Sequence, residues 1–119
     1  MKILLAEDNP LNQEMLSELL ENWGHTVALA ENGQQALDRM EADVPDLVLL
    51  DLQMPVLDGY AVLSRIRQNP KLNGVPVLAV TAYAMAGDRE KAISAGFNGY
   101  VTKPIESAQL KAEIARVKQ

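Results

Sequence analysis

Five side chains that could share one chemistry stand far apart in the sequence: Glu7 and Asp8, Asp51, Thr81 and Lys103. Brought together, their charges decide what they can do. Two like charges ~4 Å apart repel by about 1 kcal/mol in water and by about 4 kcal/mol at an effective dielectric of 20. Lys103 offers one positive charge against three carboxylates, so such a cluster needs further compensation or a raised pKa. A hard divalent cation supplies it, and Mg²⁺ typically binds through one or two carboxylates, waters and a phosphate. A site short of both a metal and an anion has the composition of a phosphoryl-transfer centre. Asp51 is the best nucleophile candidate, because the chain has no cysteine and a single histidine, His25, while aspartate can form an acyl phosphate. An ionised carboxylate needs no general base. Lys103 would clamp developing charge beside the metal, and Thr81 could donate its hydroxyl to a phosphate oxygen. Taken singly, each residue also has an ordinary use. Asp8 could favour a helix dipole, Asp51 could cap a turn, Thr81 could end a strand and Lys103 could be a solvated loop charge.

The elements that must position these residues are legible as an alternation. Apolar runs at Ile3–Ala6, Thr26–Ala30, Leu47–Leu50, Val75–Val80 and Tyr100–Thr102 predict five strands. Three are apolar at every position, as in strands buried on both faces of a parallel sheet. Between them lie helical segments. Asn9 and Pro10 read as N-cap and first helical residue, and Leu11, Met15, Leu16, Leu19, Leu20 and Trp23 follow at helical spacing up to a stop at Gly24. That apolar arc covers roughly half the helix, wider than the ~100° stripe one core contact needs, so it is either a deeply packed helix or one with a docking edge to spare. Further helices are predicted over Gln34–Ala42, Tyr60–Gln68, from about Asp88 to Gly96, and Ser107–Val117. Inward positions are Ala36, Leu37 and Met40, then Val62, Leu63 and Ile66, then Leu110, Ile114 and Val117. Five strand–helix repeats predict an α/β fold, a doubly wound five-stranded parallel sheet flanked by five helices. Ligands of such sheets sit beyond the carboxyl ends of the strands, which is where all five reactive residues fall. The second strand carries no such pair and suits an edge.

Composition excludes several classes. At 119 residues the chain is one domain, and its 48% hydrophobic and 23% charged content is that of an ordinary globular protein. Disulfides, thiolate chemistry and His-cluster metal sites are ruled out by residue type. The net charge is −5 and the 11 basic residues are scattered, so direct nucleic-acid binding is not expected. The apolar start around Lys2 is cut short by Glu7 and Asp8, far too early for a signal peptide or membrane span. The expected location is cytoplasmic, with no membrane contact.

Four motifs in order carry a resemblance: Glu7-Asp8-Asn9, Asp51-Leu52-Gln53-Met54-Pro55 leading to Asp58-Gly59, Thr81-Ala82 and Lys103-Pro104. Together they resemble the receiver domain of two-component response regulators, over all of residues 1–119. The resemblance implies a flavodoxin-like sheet of order 2-1-3-4-5. It implies that Asp51 is the phosphoacceptor, that Asp8 and Asp51 ligate Mg²⁺ directly, that Glu7 acts through water, and that the Gln53 carbonyl completes the set. Lys103 would touch the phosphoryl group, and the Lys103–Pro104 peptide would be cis. Tyr100, an ordinary strand aromatic by type alone, matches the family's switch aromatic, which turns inward when Thr81 moves toward the phosphate. Gln53 and Tyr83 match positions that tune acyl-phosphate lifetime. The output surface would be helix 4, strand 5 and helix 5, and the 84–87 stretch is either a mobile loop or a plain helix start.

The implied function is a signalling switch, not an enzyme acting on other molecules: it takes a phosphoryl group from phosphohistidine, promotes that transfer and slowly dephosphorylates itself. Expected partners are a histidine kinase or histidine phosphotransfer domain docking near helix one, and a downstream protein target. The chain would be a monomer or weak dimer through helix 4, strand 5 and helix 5. No effector domain is expected after Gln119, and the closest motif likeness is to single-domain regulators and hybrid-kinase receivers. Three readings compete. A pseudo-receiver would keep the fold without phosphorylation, against the intact acid set. A flavodoxin-like cofactor binder needs a Ser-, Thr- or Gly-rich first loop to cradle phosphate, not Glu7-Asp8-Asn9-Pro10. A Mg²⁺-dependent phosphohydrolase would add an acid–base residue and a substrate pocket.

Overall fold

The computed structural model describes residues 1–82 and 85–118, without the side chain of residue 118. Five strands alternate with five helices: β1 Lys2–Ala6, α1 Pro10–Asn22, β2 Thr26–Ala30, α2 Gly33–Ala42, β3 Leu47–Asp51, α3 Gly59–Gln68, β4 Val77–Thr81, α4 Asp88–Ala95, β5 Gly99–Thr102 and α5 Ser107–Lys118. All pairings are parallel, in the order β2-β1-β3-β4-β5. The sheet is therefore the doubly wound one that the strand–helix alternation predicts, in the flavodoxin-like order that the resemblance implies, with β2 at an edge.

Period-two alternation of side chains divides the core. Ile3, Leu5, Leu47 and Leu49 join Leu16 and Leu20 of α1 and Leu110 and Ile114 of α5 on one face. Leu4, Val48, Leu50 and Val77 join α2, α3 and α4 on the other. Strands β3 and β4 are buried at every residue. They lie inside the sheet with helices over both faces, which is why they read as unbroken apolar runs.

Helix starts follow their capping chemistry. Asn9 accepts from the backbone N–H groups of Leu11 and Asn12, Asn32 from that of Gln35, and Asp58 from that of Ala61. The Asn32 cap begins α2 at Gly33, one residue before the predicted start. Strand β4 begins at Val77, two residues later than its apolar run suggests, because Pro76 has no N–H for the ladder; its carbonyl accepts from Val48 N–H at 3.0 Å instead. Helix α1 resolves its wide arc by splitting it. Leu16 and Leu20 are buried, whereas Leu11 and Met15 are 76% and 49% exposed.

At the amino ends of β4 and β5, opposite the acids, the Arg67 guanidinium ties the floor together. It donates to the carbonyls of Asn73, Val75 and Gly96 and to Asn98 Oδ1, at 2.8–2.9 Å. Asn98 Oδ1 also accepts from Val77 N–H at 2.8 Å. Helix α4 is attached lightly. Ala92 is its only buried residue, Lys91 Nζ lies 5.3 Å from the Tyr60 ring centre, and glycines with φ of +89° and +117°, Gly87 and Gly96, bound it.

Candidate functional site

Strand register assembles the site. Ala6 pairs with Leu50 and Asp51 with Val80, while Thr81 pairs with Thr102. Glu7 therefore leaves β1 level with Asp51, and Lys103 leaves β5 one step beyond Thr81. Asp51 and Thr81 are the last residues of their strands, not the first of the loops, so the sheet fixes their backbones. Short backbone bonds hold the neighbouring loops: Glu7 N–H to the Ala30 carbonyl at 3.0 Å, Leu52 N–H to Val80 at 2.9 Å and Lys103 N–H to Thr81 at 2.7 Å.

The side chains meet as follows. Lys103 Nζ lies 2.7 Å from Glu7 Oε1 and 2.9 Å from Asp51 Oδ2. Asp51 and Glu7 are 2% and 1% exposed, and Asp8 is exposed. Asp51 Oδ1 accepts from Gln53 N–H at 2.9 Å, so Asp51 also closes a turn. Glu7 Oε2 accepts from Asn9 N–H at 3.2 Å. Glu7 Oε1 is buried and faces the Lys103 ammonium, with no other polar partner among the described residues. Burial pushes the Glu7 carboxyl above its ordinary pKa, with Lys103 and Asn9 N–H opposing and Asp51 adding to the rise. Burial alone would lower the Lys103 pKa, but Glu7 and Asp51 outweigh it and raise the net value.

Glu7, Asp8 and Asp51 each offer a carboxylate oxygen, all within 4.8 Å of one another. Three anions and one ammonium leave two negative charges. The donors are hard oxygens, and one of them, the buried Glu7 Oε1, is met only by the Lys103 ammonium. That set fits a divalent oxygen-seeking cation such as Mg²⁺. Thr81 is fully buried and donates its hydroxyl to Gln53 Oε1 at 3.1 Å. Tyr100 lies 5% exposed on the face of α2, α3 and α4, inward, with a hydroxyl that has no hydrogen-bond partner among the described residues. The Lys103–Pro104 peptide is cis. Tyr83 lies outside the described residues. Glu7, Asp8, Asp51, Gln53, Thr81 and Lys103 are thus brought together, and Tyr100 stands behind Thr81 rather than among the acids.

Two supports escaped the sequence reading. The Gln13 side chain donates to the Glu7 carbonyl, and the one signal for it is its place one turn after Asn9. Gly59 was read only as part of a motif. A Cβ there would stand 2.8 Å from Leu52 Cδ2 and 2.9 Å from Leu52 Cα, so the start of α3 can lie against the residue after Asp51 only without a side chain.

The sequence pattern of the response regulator receiver domain matches residues 3–115. The chain is 41% identical over 118 residues to the signal transduction histidine-protein kinase BarA of Escherichia coli, covering 99% of this chain but only 13% of BarA. It is 38% identical over 103 residues to the polar-differentiation response regulator DivK of Brucella anthropi, covering 87% of this chain and 84% of that one. Among solved structures, the receiver domain of the sensor histidine kinase PA1611 from Pseudomonas aeruginosa PAO1 superposes with a TM-score of 0.88 at 41% identity, over 97% of this chain and 94% of that one. It carries a magnesium ion coordinated in its active site cleft. Among the described residues no helix is long and apolar enough to cross a membrane. Register, acid cluster and sequence pattern converge, and the chain belongs to the response regulator receiver domain family of two-component signalling.

Proposed function

We propose that this receiver domain is a phosphoacceptor switch in which Asp51 takes a phosphoryl group from a phosphohistidine. The observation that carries the reading is the Lys103 ammonium held between two buried carboxylates, Glu7 and Asp51, at 2.7 and 2.9 Å. Asp8 and Asp51 would hold Mg²⁺ directly, Glu7 through water, and the Gln53 carbonyl would complete the protein ligands. The ion, when bound, neutralises charge on the transferring oxygens. The Asp51 carboxylate attacks phosphorus, a P–O bond forms, the P–N bond breaks and the imidazole leaves with its electron pair. No proton has to be taken from the nucleophile. Lys103 then follows the new charge outward from Asp51, and Thr81 exchanges its Gln53 acceptor for a phosphoryl oxygen.

The output is a population shift. Thr81 moving toward the phosphoryl group leaves room on the side of Tyr100, and the surface of α4, β5 and α5 is remodelled for a downstream protein. The same surface would carry a weak dimer. Slow loss of the phosphoryl group to water would reset the switch, at a rate tuned by Gln53 and Tyr83. A Tyr83→Ala variant is expected to dephosphorylate faster. Leu11 and Met15, exposed on α1 beside the acidic loop, suit docking of a histidine kinase or histidine phosphotransfer domain. A location in the cytoplasm accords with a kinase-supplied phosphoryl group.

The test is labelling by acetyl phosphate with Mg²⁺. A base-labile phosphoprotein is expected in wild type, absent without divalent metal and absent in Asp51→Asn. Label that persists in Asp51→Asn, or that forms equally in chelator, overturns the assignment. Continuous release of phosphate from assorted monoesters would point to a hydrolase instead.

A further inference from the structure

The two edges of the sheet are guarded unequally. Strand β5 is buried at Gly99, Tyr100 and Val101, with α4 and α5 packed against it. Strand β2 is exposed at Thr26, Ala28 and Leu29. Edge strands are ordinarily blunted by charge, proline or a bulge. Thr26-Val27-Ala28-Leu29-Ala30 carries no charge and no proline, and it pairs with β1 in unbroken register over its whole length.

Backbone direction alternates along β2. Thr26 N–H donates to the Met1 carbonyl and the Ala30 carbonyl accepts from Glu7 N–H, both at 3.0 Å. Thr26, Ala28 and Ala30 therefore turn their backbone groups to β1, and Val27 and Leu29 turn theirs outward. The open stretch stops at both ends, where His25 N–H donates to the Leu20 carbonyl at 3.1 Å and Glu31 N–H to Gln35 Oε1 at 2.9 Å. Val27 and Leu29 stand one step either side of Ala28, so the open edge is complementary to itself. Laid antiparallel on a copy about Ala28, it sets Val27 opposite Leu29 twice, and each pair exchanges both of its N–H···O bonds. Side chains agree with that register. Val27 packs against the core on the α1 face, Leu29 shares its parity, and Leu29, at 37% exposure, gains cover from Val27 of the other copy.

Charges agree as well. Glu31 and Arg39 are exposed and have no ion-pair partner among the described residues. Glu31 follows the last residue of β2, whereas Arg39 lines a hollow with Thr26 and Ala28, toward the start of the strand. Within one chain they are three to five strand steps apart, roughly 10–17 Å. Reversing the second strand brings each Arg39 to the end where Glu31 of the other copy lies.

We propose that β2 is an interaction edge for a second copy of this chain. Two β2 strands pair antiparallel about a twofold axis at Ala28 and join two sheets into one. Strand order places β2 at the opposite edge from β5. Both α4-β5-α5 surfaces therefore stay open, and a target with two sites would hold the pair more tightly than a single chain. An interface of one strand and two charge pairs is small, below about 1,200 Å², and the dimer is accordingly weak, with a dissociation constant on the order of 100 μM.

The test is sedimentation velocity in chelator, without phosphodonor, over roughly 10 to 500 μM protein. Wild type should pass from monomer toward dimer across that range. Leu29→Pro removes an outward N–H that β1 does not use, and should weaken association about tenfold or more with the fold intact by circular dichroism. Glu31→Arg and Arg39→Glu should each weaken it about fivefold, and the two together should return it to within about twofold of wild type. Ile93→Lys, on exposed α4 surface, should leave it unchanged. Wild type that stays monomeric throughout overturns the proposal. So does association that survives Leu29→Pro, or that is lost in Ile93→Lys, which would assign it to the α4-β5-α5 surface. Should Leu29→Pro not fold, the charge exchange decides: a double variant no tighter than its single parents overturns the antiparallel register.

Discussion

Thr81 gives its hydroxyl to Gln53 Oε1 at 3.1 Å, so the hydroxyl proposed to meet a phosphoryl oxygen is already engaged by the residue two past Asp51. The two partners predict opposite phenotypes. Thr81→Val keeps the buried shape and loses the donor; labelling by acetyl phosphate should slow about tenfold, the worth of a hydrogen bond to a charged group. Gln53→Ala removes the competing acceptor but leaves the backbone carbonyl in place, and labelling should quicken by about twofold to fivefold. Rates moving together in the two variants would contradict the exchange.

Removing the charge of Lys103 leaves Glu7 and Asp51 buried with no ammonium between them. Lys103→Met should destabilise the metal-free domain by about 3 kcal/mol, read by urea denaturation. It should also tighten Mg²⁺ binding by roughly tenfold, since a competing positive charge is gone. A variant as stable as wild type in chelator would show the bridge to be unimportant.

The raised Glu7 carboxyl gives a sign that can be checked against pH. Folding favours its protonated form, so in chelator its contribution to stability is full below the unfolded value of 4.5 and is lost as pH rises through the higher folded value. Saturating Mg²⁺ favours the anion and reverses that slope. Thermal midpoints measured from pH 4 to 8 (about 2 units either side of 6) should converge at the acid end and diverge with rising pH. In Glu7→Gln the chelator curve should flatten and rise.

The Tyr100 hydroxyl, unpartnered among the described residues, costs stability where it lies. Tyr100→Phe should stabilise the domain by about 1 kcal/mol. Burial, with Asp88 and Tyr60 adding, raises the Tyr100 pKa above 10.0. Its contribution is therefore present below pH 10 and lost as pH rises through the folded value, and Tyr100→Phe should soften that alkaline decline. An unchanged alkaline limb would assign the decline to Tyr60, whose pKa is also raised by burial.

At Gly59 even one methyl is too much. Gly59→Ala must push Leu52 or the start of α3 aside, and should cost about 1–3 kcal/mol. Because Leu52 follows Asp51, the same variant should label more slowly, and a fully active Gly59→Ala would show that the loop yields freely.

The sheet and the acids were legible for different reasons. Strands β3 and β4 announced themselves because burial on both faces leaves only apolar residues. Glu7, Asp51 and Lys103 were legible because charged groups just past apolar strands need partners. Contacts set by register were not. Nothing in the types of Thr81 and Gln53 says that they bond to each other, and Gln13 reaches the Glu7 carbonyl only once α1 has its place. Pro76 shortened β4 through a missing N–H, a signal present in the sequence and outvoted by its apolar neighbours. The left-handed backbone at Val56, with φ 71°, was invisible, since valine is the last residue expected where φ is positive.

The Arg67 clamp has a mechanical meaning for helix α4. It grips the Gly96 carbonyl, at the far end of the helix from Asp51, and ties it to the floor of β4 and β5. The near end begins at Gly87 with no side-chain cap. A helix pinned at one end and loosely seated at the other cannot slide as a piston. Under the proposed switch, a displacement arriving from Thr81 would swing α4 like a lever about a fulcrum at Gly96, with the travel greatest at the end nearest Asp51.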